Sequence, residues 1–324
     1  MMKKIALYGS FTPNMLQAIQ SKCPDGFTPY EVAVSEDLAA LADADYMINR
    51  GGSVDGLVLD AAPKLKWIQK WGVGYEKIDI CEAGRRGIPV GICVGGNSLP
   101  VAELAVALML AVLRHIVPMS AKLKEGEWAR DQFFSRSYLL NGKTVGLIGI
   151  GNIARKVAAI VRDGFGAQVL YYDVLRLSDA QEKALGVTYA ALDDLMTQSD
   201  IVSIHVPLLE STEGMIDSER LALMKPSACL INTSRGGVVN EADLIKALRE
   251  GRILGAGLDT FAQEPLSADS ELLKLDCVVT TPHCGGNTVD NDIHMAGICI
   301  DCIAAYDTTG SRAVPEIVNR EFLN

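Results

Sequence analysis

One stretch constrains this chain more than any other: Lys143-Thr-Val-Gly-Leu-Ile-Gly-Ile-Gly-Asn-Ile-Ala154, with Asp173 downstream. Val145 to Ile148 reads as a short buried strand. Gly149-Ile-Gly151-Asn-Ile-Ala154 then has the G-x-G-x-x-G/A form. Gly149 permits the tight turn out of the strand, Gly151 lets the backbone approach a pyrophosphate, and Ala154 lets the next helix pack closely on the strand. The free N–H groups and dipole of that helix can hold phosphates. A second strand, Gln168-Val-Leu-Tyr-Tyr-Asp173, ends in a carboxylate placed to accept from ribose hydroxyls. Glycines at a βα turn can serve packing alone. The strand–turn–helix–strand–Asp context favours a dinucleotide site.

At 324 residues the protein has room for two domains, each with its own core. Hydrophobic residues make up 49% and aromatics only 6%, which suits an α/β protein. The formal charge of −10 leaves no electrostatic footprint for nucleic acid or an anionic membrane. An anionic substrate would need local cations. The N-terminal Met-Met-Lys-Lys-Ile-Ala-Leu-Tyr-Gly has too short an apolar run for a signal peptide and reads as a first strand. The longest apolar run, Leu104 to Leu113, is too short to span a bilayer. Eight cysteines lie mostly in apolar segments, as reduced thiols of a cytoplasmic protein would. Cys299-Ile-Asp-Cys302 has CxxC spacing but no second pair, and it sits in a helical pattern. No metal site is expected.

Short strands and helices alternate over the first hundred residues. Strands are expected at Ile5–Tyr8, Tyr30–Val34, Tyr46–Asn49, Trp67–Gln69 and Pro89–Ile92, and helices at Asn14–Lys22 and Glu36–Asp43. Such a βα series implies a parallel sheet. One long helix is expected from about Leu99 to Lys124, apolar on nearly every face and so buried almost all round. The series restarts at Lys143, with strands expected at Asp200–His205, Ala228–Thr233, Gly255–Asp259 and Cys277–Thr281. Helices are expected at Asp193–Gln198, Ser218–Leu223 and Asn240–Glu250, the last opened by an Asn cap and an acidic first turn.

In doubly wound sheets the ligand lies beyond the carboxyl ends of the strands. There the sequence places Asp173, His205-Val-Pro207, Asn232-Thr-Ser-Arg235, Asp259-Thr-Phe-Ala-Gln-Glu264 and Thr281-Pro-His283. Arg235 can bind a carboxylate bidentately. Glu264 can accept the ring N–H of His283, fixing its tautomer and favouring the protonated ring. His283 can then exchange a proton with a hydroxyl or carbonyl oxygen while hydride moves to or from a nicotinamide. Singly, Arg235 reads equally as a helix-terminus surface charge, Glu264 as an ordinary loop carboxylate and His283 as a satisfied loop histidine. All three just past strands of one sheet favour a site.

These residues resemble those of the D-isomer-specific 2-hydroxyacid dehydrogenases, particularly the phosphoglycerate dehydrogenases. The resemblance covers nearly the whole sequence: Gly72-Val-Gly74-Tyr-Glu-Lys-Ile-Asp79, Gly96-Asn-Ser-Leu-Pro-Val-Ala-Glu103, the glycine fingerprint, His205-Val-Pro-Leu, Lys225-Pro226, Ile231-Asn-Thr-Ser-Arg-Gly-Gly237, Gly257-Leu-Asp259 and Thr281-Pro-His283. It implies an α/β fold of two doubly wound parallel-sheet domains. A Rossmann-type NAD-binding domain, residues 99–288, would be inserted in a flavodoxin-like substrate domain, residues 1–98 and 289–324, with the cofactor in the cleft. It implies Arg235 as substrate anchor, His283 as acid/base and Glu264 as its partner. The cofactor set would be Gly149, Gly151, Asn152, Ile153, Asp173, His205, Val206, Pro207, Thr212, Thr233, Ser234, Asp259 and Gly285. The substrate set would be Val73, Gly74, Asn97, Arg50 and Lys70 with Arg235 and His283. It also implies a homodimer formed through about residues 99–140, where Gly126-Glu-Trp-Ala-Arg130 resembles a segment that reaches across the dimer.

The expected activity is NAD-dependent hydride transfer between a D-2-hydroxy acid and its 2-oxo acid, with an acid bearing a polar or anionic third carbon, 3-phosphoglycerate foremost, as the substrate. Asp173 favours NAD over NADP, because a 2′-phosphate would meet a like charge, although Arg176 stands close enough to offer a cation. Arg50 and Lys70 occupy positions where phosphoglycerate dehydrogenases place cations near a phosphate. They read equally as solvated surface charges. Trp71 replaces a usually small residue and Tyr75-Glu76 an Asp-Asn pair, so a glyoxylate or hydroxypyruvate reductase, or another D-hydroxyacid dehydrogenase acting on short acids, stands as the alternative. An NAD(H)-sensing corepressor of the C-terminal-binding type shares the Arg, Glu and His. Such proteins carry an N-terminal docking sequence and a long tail, whereas this chain opens at its first strand and closes soon after its last helix, as expected of an enzyme. Formate-type dehydrogenases place Gln where Glu264 stands.

Overall fold

The computed structural model describes residues 2–34, 38–310 and 316–323. The protein divides into two units, residues 1–97 with 287–324, and residues 98–286.

The first unit runs β1 (Lys3–Gly9), α1 (Pro13–Lys22), β2 (Phe27–Val32), β3 (Tyr46–Arg50), α2 (Gly56–Ala61), β4 (Trp67–Lys70), α3 (Ile80–Arg85) and β5 (Val90–Gly91). The strands form a parallel sheet of order β2-β1-β3-β4-β5, the flavodoxin-like winding. Side chains alternate faces along a strand. Ile5 and Leu7 of β1 therefore join one core, and Ala6 and Tyr8 the other. β2 starts earlier than expected and contains Pro29, which an edge strand tolerates because one side of it is unpaired. Of the helix expected over Glu36–Asp43, residues 36 and 37 lie outside the described residues, and the rest holds a 3-10 turn at Leu38–Leu41.

The second unit contains α4 (Ser98–Leu113), α5 (Ile116–Lys124), β6 (Thr144–Ile148), α6 (Asn152–Phe165), β7 (Gln168–Tyr172), α7 (Asp179–Leu185), β8 (Thr188–Tyr189), α8 (Leu192–Gln198), β9 (Ile201–Ile204), α9 (Ser218–Leu223), β10 (Cys229–Asn232), α10 (Glu241–Arg249), β11 (Gly255–Leu258) and β12 (Val278–Thr280). Its parallel sheet has the order β12-β11-β10-β9-β6-β7-β8. The backbone leaves β6 toward β7 and β8, then returns to β9 on the other side of β6. This reversal puts the switch point between the ends of β6 and β9. Val145 and Leu147 pack with α4 and α6 on one face, and Ile148, Val202 and Leu230 with α8 and α10 on the other. The last helix, α11 (Val289–Thr309), belongs to the first unit, where it packs on α1 and β4.

The single helix expected over 99–124 is two helices bent by 64°. Pro118 explains the break. In a continuous helix its ring would clash with the carbonyl of Arg114, and it has no N–H to donate there. The backbone turns instead at His115, in the left-handed region with φ 48°, and Pro118 falls in the first turn of α5, where no donor is needed. Burial all round also fails. α4 is largely buried, but Pro118 is the only buried residue of α5. Among the described residues no single helix is long and apolar enough to cross a membrane.

Candidate active site

At the switch point of the second unit, Gly149 takes φ 93° and its N–H donates to Tyr172 O at 2.7 Å. A Cβ on Gly149 would lie 3.0 Å from the His205 carbonyl group, so a side chain is excluded by both strain and space. A Cβ on Gly151 would meet nothing within 4 Å, leaving the backbone open to an approaching group. Gly151 caps α6 without a side-chain bond, and Asn152 and Ile153 form the first turn, whose N–H groups have no intrahelical acceptor. Asp173 follows β7. One of its carboxylate oxygens accepts from Ile150 N at 2.9 Å and the other from Leu175 N at 3.1 Å, so the acidic residue and the glycine turn are tied together.

The segment after β9 supplies His205, Val206, Pro207 and Thr212. His205 N donates to Ile148 O at 2.7 Å, joining the two strand ends. The His205 ring turns inward. Its Nε2 meets Ser203 Oγ at 2.9 Å, its Nδ1 is buried without a partner among the described residues, and burial pushes its pKa down to about 4. The Thr212 hydroxyl donates to Pro207 O at 2.6 Å and accepts from Leu209 N at 2.8 Å, which organises the loop. The buried Thr233 hydroxyl has no partner among the described residues. The open glycine turn, the uncapped helix start and this unsatisfied hydroxyl fit a bound dinucleotide.

Three loops past β10, β11 and β12 carry Arg235, Glu264 and His283. Asn232, at the end of β10, bonds Ser234 N and Oγ through Oδ1 and Arg235 O through Nδ2, and so shapes the Arg235 turn. The Arg235 guanidinium donates to Ser234 O at 2.9 Å. Behind Arg235, Gly236 lies against Phe261, where a Cβ would sit 1.9 Å from the carbonyl carbon. Only glycine allows this approach, which joins the Arg235 turn to the segment leading to Glu264. Glu264 accepts from Phe261 N at 3.1 Å and from His283 Nδ1 at 2.7 Å. With a carboxylate as acceptor, Nδ1 carries the ring proton and Nε2 is left to face a ligand. His283 itself sits in the left-handed region, φ 50°, held by its N–H to Thr281 O.

Asp259, expected to serve the cofactor, is 1% exposed. Its carboxylate accepts from Thr281 Oγ1 at 2.6 Å, Cys284 N at 2.9 Å and Gly285 N at 2.9 Å, and so pins both sides of the His283 turn. Sequence reasoning missed Thr281 and Gly236 as positioning residues. The pattern signals for them were a hydroxyl ahead of Pro282 and a glycine directly after Arg235. Burial, with Asp259 alongside, pushes the Cys284 thiol up, so it stays protonated and is a poor nucleophile at neutral pH.

In the first unit, Arg50 ends β3 at the sheet's own switch point, beside β1. Gly9 takes φ 129° there, and its Cβ would collide with Arg50 O. The Arg50 guanidinium donates to Ser10 O and to Asn287 Oδ1 at 3.5 Å. Asp292 is close enough to interact with Arg50 electrostatically, and burial holds its carboxyl above the usual carboxylate range. Lys70 ends β4 and reaches Asn49 Oδ1 at 3.5 Å. Trp71 N donates to Asn49 O, Cys93 N donates to Gly72 O, and the Trp71 ring packs edge-on against Phe11. These bonds set the turn carrying Val73 and Gly74, which, like Asn97, are partly exposed.

The NAD binding domain of the D-isomer specific 2-hydroxyacid dehydrogenases matches residues 106–285. The chain is 42% identical over 270 residues to a glyoxylate reductase of Korarchaeum cryptofilum, covering 83% of this chain and 80% of that protein. It is 42% identical over 254 residues to a D-3-phosphoglycerate dehydrogenase of Mycobacterium bovis, covering 78% of this chain but only 47% of that protein. The structure of D-lactate dehydrogenase with NAD+ from Lactobacillus jensenii superposes with TM-score 0.82 at 30% identity, covering 98% of this chain and all of that one. With the switch-point geometry and the His283–Glu264 pair, these likenesses make this protein an NAD-dependent oxidoreductase, a member of the D-isomer specific 2-hydroxyacid dehydrogenase family.

Proposed function

We propose that the protein reduces short 2-oxo acids of the glyoxylate and hydroxypyruvate class to 2-hydroxy acids, of D configuration wherever C2 becomes a stereocentre. NAD, when bound, supplies the hydride chemistry at C2. His283 Nε2 gives the proton to the C2 oxygen in reduction and takes it back in oxidation. Arg235 anchors the carboxylate. Gly149, Gly151, Asn152 and Ile153 hold the pyrophosphate, and Asp173 the adenosine ribose.

The observation that carries the choice of a small acid is the state of Arg50. Its guanidinium already serves Ser10 O and Asn287, and Asp292 stands nearby. A phosphate would have to displace those bonds and meet a carboxylate. The 42% identity to a glyoxylate reductase over most of both proteins supports the same reading. The proximity of Lys70 to Asn49, the residue before Arg50, favours a second reading, a phosphorylated three-carbon acid. A panel of glyoxylate, hydroxypyruvate, pyruvate and 3-phosphohydroxypyruvate with NADH decides. The small acids should lead in kcat/KM, and a clear lead for the phosphorylated acid would overturn the proposal. Negligible turnover of every acid would point instead to a nucleotide-sensing protein.

We also propose a homodimer through residues 99–140. Trp128 is 79% exposed and Phe134 81%, with Leu123, Ile116 and Leu139 exposed on the same segment. Exposed apolar clusters of this kind mark interfaces. Sedimentation at micromolar concentration should find a dimer, and a monomer there would refute it. Eight unpaired thiols suit residence in the reducing cytoplasm.

A further inference from the structure

Asp173 is followed by a short loop, Val174-Leu-Arg-Leu177, that leads to α7. Such a loop is where a cation would sit to receive a 2′-phosphate on the adenosine ribose. Arg176 is in this loop, yet its side chain is directed toward α7. Its Nε donates to Glu182 Oε1 at 3.0 Å, and its guanidinium carbon lies 5.1 Å from the centre of the Tyr189 ring. Glu182 is itself fixed. The buried Tyr171 hydroxyl donates to the same oxygen at 2.8 Å and accepts from Leu177 N at 2.9 Å. Ser178 and Gln181 form a reciprocal cap at the start of α7. Both ends of the loop are pinned, since Asp173 accepts from Leu175 N and Leu177 packs against the core. Glu182 is much less exposed than Arg176, so the carboxylate is the stationary member of the pair.

We propose that Glu182 is a specificity-determining residue for the cofactor: it holds Arg176 on Tyr189 and thereby withholds it from a 2′-phosphate, so that NAD is bound in preference to NADP. Asp173 supplies repulsion, and Glu182 holds back the cation of the same loop that would offset it, while Arg155 is turned to Ile150 O at the glycine turn. The proposal rests on the second unit binding NAD through the Asp173 turn. It needs no assumption about the oxo acid. Glu182 touches neither reacting atoms nor the glycine turn, so it acts through Arg176.

Calorimetric titration of the cofactor-free protein with NAD+ and NADP+ tests this by binding alone. Glu182→Gln should tighten NADP+ at least about tenfold, the scale of one charge-assisted hydrogen bond, and leave NAD+ within about twofold. Adding Arg176→Ala should abolish the gain. Arg176→Ala by itself should leave NADP+ affinity unchanged, and it tests the idea even if Glu182→Gln does not fold. An unchanged NADP+ to NAD+ ratio in a folded Glu182→Gln protein would overturn the proposal. So would a gain that survives Arg176→Ala, or a loss of NADP+ affinity in the single Arg176→Ala protein. Absence of NAD+ binding to the unaltered protein would overturn the cofactor reading itself, and is separated from those outcomes by the NAD+ titration.

Discussion

Glu264 accepts from His283 Nδ1 through one carboxylate oxygen and from the Phe261 backbone N–H through the other. The carboxylate is thus fixed by the main chain before it fixes the ring. Two effects should separate on mutation. His283→Ala removes the proton donor and should lower kcat by about two to four orders of magnitude. Glu264→Ala removes only the support and should lower kcat less, about ten- to a hundredfold. Glu264→Gln can still accept from Nδ1 but cannot satisfy both donors, and should fall between wild type and Ala. Steady-state kcat for the three variants checks this order. A Glu264→Ala enzyme with wild-type kcat would sink the assignment.

The approach of Gly236 to Phe261 makes a sharper test, because no backbone atom there can yield cheaply. Gly236→Ala should separate the Arg235 turn from the Glu264 loop and reduce kcat/KM about a hundredfold or more, as small misplacements of catalytic groups do. Gly297, within α11, is the contrast. A Cβ there meets nothing within 4 Å, and the residue is helical. Gly297→Ala should leave kcat/KM unchanged and raise stability by up to about 1 kcal/mol. Urea unfolding and kinetics on both proteins give the comparison. Equal behaviour of the two would refute the argument.

Most of the site's framework was legible because glycine and strand ends leave strong marks. Gly149, Gly151 and Asp173 could be placed from one strand–turn–helix pattern, and the strand ends expected at His205, Thr233, Asp259 and Thr281, from apolar runs that stop at polar residues, fall one residue past the observed ends at Ile204, Asn232, Leu258 and Thr280. The His115 break was legible too, through Pro118, but an unbroken apolar run outweighed it. What the sequence hides is which polar atoms meet. Nothing in the order of residues says that Asp259 holds Thr281, Cys284 and Gly285, or that Arg176 turns to Glu182, since both depend on packing between separate segments. The strand β8 was missed because two residues are too short to show a period, and the helix α7 because it buries none of its residues and so carries no apolar face.

Asp259 then yields its own prediction. Asn keeps the shape but offers one acceptor oxygen, and its amide nitrogen would face the backbone N–H of either Cys284 or Gly285. A donor opposed to a donor in a buried place costs about 1–3 kcal/mol. Asp259→Asn should therefore lower stability by that order and lower kcat through the loosened His283 turn. Cys284→Ser, which leaves these backbone bonds in place, should remain active. A chemical denaturation series with kinetics on both variants tests this, and a fully active, fully stable Asp259→Asn protein would contradict it.

His205 gives the pH dependence. The residue as a whole keeps some exposure, but Nδ1, which has no partner among the described residues, is buried, and burial lowers the ring's pKa from 6.5 to about 4. Above pH 6.5 the ring is neutral in both the folded and the unfolded protein, and its contribution is fully present. Between pH 6.5 and about 4 the unfolded protein takes up a proton that the folded one refuses, so stability falls as pH falls through this window. The difference corresponds to about 3 kcal/mol at most. His205→Gln, which does not titrate, should remove this component. The wild-type protein should therefore lose stability relative to His205→Gln as the pH drops from 7 to 4.5, read as the difference of their urea midpoints. A difference that stays constant across that range would mean that the ring takes up its proton as readily in the folded protein as in the unfolded one.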